Sequence, residues 1–148
     1  MLVSILMDIL TAVVRLETTL WTLLDKELAR SGSVGLATFL ALQTFHRHGG
    51  KGRVNDLSRE LAITVGAASK VVDRLERSGL AARSPHPDDR RSSLVALTEE
   101  GDRARSSANQ VVEGVLERVF ADATEVDAAL ALLGSLQKRL DDRAEVAS

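Results

Sequence analysis

Two short helical segments in tandem constrain this chain more than any other feature of its sequence. Apolar residues four apart predict a helix over about residues 55–62, and a second set predicts a helix over about 65–78. Asn55 and Thr64 precede or begin these segments and are the expected N-caps. The second helix is expected to end at Gly79, because glycine readily adopts the left-handed conformation that closes a helix. Two short helices joined by a few residues predict a helix-turn-helix.

A strand, a polar turn and a second strand are predicted directly after these helices. Residues 80–84 form a short segment, which is expected to be the first strand. Residues 85–89 are rich in proline and aspartate, which favour turns. Residues 92–98 have the composition of a strand that returns along the first. A β-hairpin that follows a helix-turn-helix is typical of a wing. This part of the chain therefore predicts a winged helix-turn-helix.

Longer amphipathic helices are predicted on both sides of this unit. Their expected ranges are about 3–30, 34–46 and 98–120, and a last helix begins at a capping-box pattern over 124–127. The glycine-rich segment 48–52 is expected to be a loop. The fold class is therefore predicted to be mainly α, with a small β-hairpin wing and flanking N- and C-terminal helices.

The helices at the two ends carry more apolar surface than a winged helix alone would hide. We predict a single domain over 1–148, in which 34–101 form the DNA-binding part and 1–33 and 102–148 form dimerisation helices. The chain is accordingly expected to be a homodimer. The first 24 residues are apolar but include charges, so neither a membrane span nor a signal peptide is expected. The last helix carries a regular apolar stripe, which consists of Leu130, Leu133, Leu136 and Leu140.

Basic residues are concentrated in the middle of the chain. Residues 43–91 contain ten Lys or Arg against six Asp or Glu, although the whole chain has a net charge of −2. Attraction to phosphate depends on this local patch, because charges more than about 8–10 Å away are screened at physiological salt. The absence of cysteine excludes disulfides and thiolate metal sites and agrees with a cytoplasmic location. No phosphate-binding loop, nucleophile elbow or zinc-protease motif is present, so we predict neither an enzyme nor a cofactor.

Two stretches of this sequence resemble a known family. Residues 69–80 resemble the recognition helix of the multiple antibiotic resistance regulator (MarR) family, and residues 87–101 resemble its wing and the start of the next helix. The motifs Asp-x-Arg and Leu-Thr-x-x-Gly fall on Asp89, Arg91, Leu97, Thr98 and Gly101. The resemblance implies a dimer that places recognition helices in the major groove and wings in the minor groove of a palindromic operator. It also implies a repressor that a small, often aromatic or phenolic, ligand releases from DNA.

The DNA-contacting residues are expected on the recognition helix and at the wing tip. Small side chains let a helix approach DNA, and lysine or arginine can reach phosphates and base edges. Lys70 stands where the family often has arginine, so its charge is kept but the bidentate fork is lost. Asp89 is expected to hold Arg91 for insertion into a narrow minor groove. The candidates are Thr64, Gly66, Ala67, Ala68, Ser69, Lys70, Arg74, Asp89, Arg90 and Arg91.

Arg77 and the histidines are not among the residues expected to contact DNA or to hold a metal. Residues 73–77 alternate in charge and can pair along their own helix, so Arg77 is expected to be structural. His46 and His48 are two residues apart, which places them on different faces of a helix. No metal site is therefore predicted.

Two alternatives stay open at this level. Trp21, Phe39 and Phe45 could line a ligand pocket, but aromatic residues at helical spacing are more often core, so the ligand-binding residues stay unknown. The chain could also be a winged-helix module for protein interaction or ligand sensing that lacks affinity for DNA. Binding to duplex DNA that weakens with salt separates these functions, since it requires phosphate contacts.

Overall fold

The computed structural model describes residues 2–88, 93–120 and 122–146, and the chain divides after Val112 into two compact units. The first unit contains most of the secondary structure. Its elements are α1 (Leu2–Arg30), α2 (Leu36–Arg47), β1 (Lys51–Gly52), α3 (Val54–Glu60), α4 (Val65–Arg77), β2 (Ala81–Pro85), β3 (Ser93–Leu97) and the first part of α5 (Glu99–Val119). The second unit holds the end of α5 and α6 (Ala123–Val146). The predicted class, mainly helical with a winged helix-turn-helix, is confirmed.

The sheet has three antiparallel strands in the order β1-β3-β2. The predicted hairpin is β2 with β3, in a register that pairs Ala81 with Leu97. The prediction of a plain loop over 48–52 was wrong, because Lys51 and Gly52 form β1 and pair with β3. A side chain at Gly52 would lie 3.2 Å from the Phe45 ring, so glycine lets this short strand pass close to the core.

Of the N-caps predicted at Asn55, at Thr64 and over 124–127, the structure agrees with one and differs at two. The Thr64 side chain accepts a hydrogen bond from Ala67 N at 3.1 Å, so this N-cap is confirmed. Asn55 is not a cap, because α3 begins one residue earlier and the Asp56 carboxylate accepts from Arg53 N at 2.7 Å. The capping box over 124–127 was also wrong: α6 begins at Ala123, and the Asp122 carboxylate accepts from Thr124 N at 2.8 Å. Both errors are shifts of one or two residues at a helix start.

The core of the first unit lies between α2, α3, α4 and the sheet. Burial of one large apolar side chain stabilises the folded state by roughly 1.5–3 kcal/mol relative to leaving that side chain exposed. Its largest fully buried members are Phe45, Leu42, Leu57, Leu75, Val72 and Val95.

One junction joins the end of α4 to the start of α5. Gly79 closes α4 with a φ of +71°. The Thr98 hydroxyl donates to the Gly79 carbonyl at 2.6 Å and accepts from Gly101 N at 3.0 Å, which caps α5. Gly101 then lies against the Leu80 carbonyl with no room for a Cβ. These contacts explain why the Leu-Thr-x-x-Gly motif requires threonine and glycine.

Large apolar side chains are exposed on both end helices. On α1 they include Leu6, Leu10 and Leu16, each more than half exposed, and on α6 they include Leu130 and Leu133 at 63% and 52%. Within the described ranges, every helix is too short or too polar to cross a membrane. Exposed apolar stripes of this extent are typical of surfaces that a partner covers.

Candidate nucleic-acid interface

The outer face of α4 carries most of the residues predicted to contact DNA. Gly66, Lys70 and Arg74 are exposed and four residues apart, so they share one side of the helix. Ala67 and Ser69 flank this side and are half-buried. The prediction for the Ala68 side chain was wrong. Ala68 is fully buried in the core, because its position turns it towards Val72 and Leu75 rather than towards solvent.

Arg77, for which the sequence predicts a structural role, lies on the same outer face. Its side chain is exposed, and its only hydrogen bond within the described residues is from Nε to the Asp73 carbonyl at 3.3 Å. Lys70, Arg74 and Arg77 follow one another at intervals of four and three residues, which aligns them along the helix. We call these three residues the basic ridge.

The acidic residues of α4 do not neutralise the basic ridge. Asp73 and Glu76 instead pair with Arg83 of β2, at 2.6 Å and 3.3 Å respectively. In the part of the chain that the structure describes, no basic-ridge residue makes an ion pair with any carboxylate. The ridge therefore presents to solvent three positive charges that none of the described carboxylates neutralises. Sequence reasoning missed Arg83, because a single arginine in a five-residue strand gives no local signal.

A cavity of about 560 Å³ lies next to α4. Its lining comes from α1, α2, the end of α3 and α4, all within the first unit. All three basic-ridge residues also line it. Phe39 and Phe45 are core residues and do not line the cavity, whereas Trp21 does. Its apolar lining includes Trp21, Ala37, Leu40, Leu61, Ile63 and Val71.

The two histidines at the end of α2 pair with separate carboxylates. His46 Nδ1 lies 3.2 Å from Asp102, and His48 Nε2 lies 2.5 Å from Glu60. The Arg105 guanidinium, 3.0 Å from Asp102, lowers the pKa of that carboxyl. Across residues 2–88, 93–120 and 122–146, no group of three or more His, Cys, Asp or Glu could hold a metal ion. In this structure His46 connects α2 to α5, and His48 connects the end of α2 to α3.

The wing tip lies outside the described residues. Asp89, Arg90 and Arg91 fall between β2 and β3, in the segment that joins the two strands. Both flanking strands are described and are paired up to Pro85 and Ser93.

The sequence and the fold of this chain are similar to those of known transcriptional regulators. Residues 36–93 match the model of the MarR family. YwhA of Bacillus subtilis, described as an uncharacterized HTH-type transcriptional regulator, is 28% identical over 99 residues, which cover 64% of this chain and 69% of YwhA. CouR from Rhodococcus jostii, solved with p-coumaroyl-CoA bound, has a TM-score of 0.78 at 26% identity, covering 87% of this chain and 91% of CouR. A mutant MarR from E. coli in complex with operator DNA has a TM-score of 0.79 at 24% identity, covering 88% and 94%, and this likeness concerns the fold.

Proposed function

Because this chain belongs to the MarR family of transcriptional regulators, we propose that it binds duplex DNA sequence-specifically, as a homodimer, and represses transcription until a small ligand releases it. The observation that carries the proposal is the basic ridge on the exposed face of a capped recognition helix, where no carboxylate of the described residues pairs with any of the three cations. Membership of this family also confirms the prediction that the chain is not an enzyme.

In the proposed complex, α4 enters the major groove with its outer face towards the bases. Gly66 adds no side chain there, so the backbone can approach closely. Lys70 and Arg74 then reach base edges or phosphates, and Thr64 and Ser69 can donate hydrogen bonds from their hydroxyls. For the wing we keep Asp89, Arg90 and Arg91 as the proposed minor-groove residues, on the strength of their motif.

A fluorescence-anisotropy titration tests the central claim. We expect the protein to bind its own upstream duplex more tightly than a random duplex, and both affinities to fall steeply with salt as counterions are released. Equal affinity for the two duplexes would leave only non-specific DNA binding. Absence of binding to either at low salt would refute the proposal and favour the module for protein interaction.

The exposed apolar faces of α1 and α6 support the homodimer. We propose that residues 1–33 and 102–148 supply the dimer contacts and that 34–101 supply the DNA contacts. A two-fold dimer would read a palindromic operator whose half-sites lie about 10 bp apart or a multiple of this.

Charge placed on these faces should dissociate the dimer. We expect Leu10→Glu and Leu133→Glu each to shift sedimentation from dimer to monomer, because an interfacial carboxylate without a partner opposes association. Val65→Glu is the matched control, since Val65 is exposed to the same degree as Leu10 but lies on α4. A monomeric wild-type protein, or a dimer that both variants keep, would contradict the proposed interface.

The cavity that the basic ridge helps to line supports a ligand with an aromatic body and an acidic group. Its lining is mostly apolar, and the three ridge cations are part of it. An acid bound there would engage the same lysine and arginines that DNA requires. Binding of the two would then be mutually exclusive or strongly opposed, which is the reciprocal coupling that induction requires.

The single tryptophan of the chain provides a readout of this cavity. We expect benzoate to change Trp21 fluorescence saturably and to weaken DNA binding in the same concentration range. Benzyl alcohol, which keeps the ring but lacks the charge, should bind at least tenfold more weakly. Equal responses to the two compounds, or no response to either, would contradict an aromatic acid as the ligand class.

A further inference from the structure

We propose that Arg83 is a positioning residue for DNA binding, because it holds the two carboxylates of α4 away from the basic ridge. This inference rests on the proposed function of α4. It concerns a residue of β2 that lies outside the helix-turn-helix and outside the wing motif.

Arg83 contacts three residues of α4 that lie along almost two turns of the helix. Its Nη2 donates to the Asp73 carboxylate at 2.6 Å and to the Ser69 carbonyl at 3.3 Å. Its Nε lies 3.3 Å from Glu76, and its backbone N donates to the same carboxylate at 3.0 Å. Its side chain is 28% exposed, so these contacts are partly shielded from solvent. Arginine suits this role, since its planar guanidinium can bond to several acceptors at once.

The spacing along α4 explains why this arrangement matters. Asp73 lies three residues after Lys70 and four before Arg77, and both separations bring side chains together on a helix. Without Arg83, the ridge cations would therefore be the nearest partners of the Asp73 carboxylate. The alternating charges would then pair internally, as the sequence alone suggests, and fewer positive charges would face DNA.

A second consequence concerns the wing. The contacts from Arg83 to Ser69, Asp73 and Glu76 tie β2 directly to the recognition helix. The root of the wing and the basic ridge are thereby fixed relative to each other. A regulator that uses both in adjacent grooves gains from this fixed geometry, since less conformational entropy is lost on binding.

The test is a charge rescue measured by anisotropy over a series of salt concentrations. We expect Arg83→Gln to weaken DNA binding at least tenfold and to reduce the salt dependence by more than the single charge removed. Adding Asp73→Asn and Glu76→Gln to this variant should restore affinity to within about threefold of the wild type, because the ridge is again unpaired. Arg59→Gln, which removes another arginine paired with a carboxylate but on α3, is the matched control and should bind normally.

The outcomes separate this inference from the proposed function. A wild-type protein that binds no duplex refutes the proposed function and this role with it. A wild-type protein that binds, with an Arg83→Gln variant that is unaffected or is not rescued, refutes the role of Arg83 alone, and failed rescue indicates a direct DNA contact instead. If Arg83→Gln does not fold by circular dichroism, Arg83→Lys keeps the charge but cannot bridge both carboxylates, and Glu76→Gln should then restore its affinity.

Discussion

Replacement of Gly101 by alanine is expected to lower the free energy of unfolding by about 3 kcal/mol, at the upper end of the usual cost of overpacking. A Cβ at this position would overlap the Leu80 carbonyl oxygen and lie 2.9 Å from the carbonyl carbon. Both obstacles are backbone atoms, so α5 or the end of α4 must move. The Thr98 cap joins these same elements and would be distorted with them.

Chemical denaturation in urea measures this change, provided that protein concentration is held fixed across variants. Gly66→Ala is the matched control, because a Cβ at Gly66 meets nothing within 4 Å. We expect this control to keep or slightly raise stability, since alanine favours the helix over glycine. A Gly101→Ala variant as stable as the Gly66→Ala variant would show that the two segments can separate without cost.

Removing two charges from the basic ridge is expected to have the largest effect on DNA binding. The Lys70→Gln/Arg74→Gln variant should bind its operator at least a hundredfold more weakly at physiological salt, since each contact to a base edge or phosphate contributes roughly 1–3 kcal/mol. The slope of log affinity against log salt should fall by about 1 for each of the two cations that neutralises a phosphate, because that phosphate then keeps its condensed counterion. Anisotropy at several salt concentrations measures both quantities.

The control for this variant removes a positive charge that lies on another helix and is already paired with carboxylates. Arg103 on α5 pairs with Glu99 and Glu100, so Arg103→Gln should leave both the affinity and the salt slope unchanged. If Arg103→Gln weakens binding as much as the ridge variant does, general charge rather than the outer face of α4 drives association. Unchanged affinity in the ridge variant would exclude α4 as the DNA-contacting helix.

Local features of this fold could be predicted from the sequence because their causes are local. Helical periodicity located α1, α2, α4 and α5 to within a few residues, and glycine at position 79 correctly marked the end of α4. Strand β1 was missed, because two residues carry no periodicity and their partners, such as Ala96, lie some 45 positions further along. Strand pairing at that distance depends on the packed core rather than on local propensity.

Some features of the candidate site also follow from the local sequence, whereas others depend on tertiary packing. The recognition helix and its N-cap at Thr64 follow from local pattern, and so does the presence of lysine and arginine along it. Which side of the helix faces solvent depends on the residues that pack against α4. This packing buried Ala68, contrary to expectation, and left Arg77 exposed.

The sequence by itself determined the order of the helices, the winged helix-turn-helix and the charges that α4 carries. Only the tertiary structure decided which of those charges are available to a ligand or to DNA. Asp73 could pair with Lys70 or Arg77 on its own helix, yet Arg83 reaches it from β2 at 2.6 Å. The physical reason is that an ion pair depends on distance in space, and the turn after Gly79 brings β2 back alongside α4.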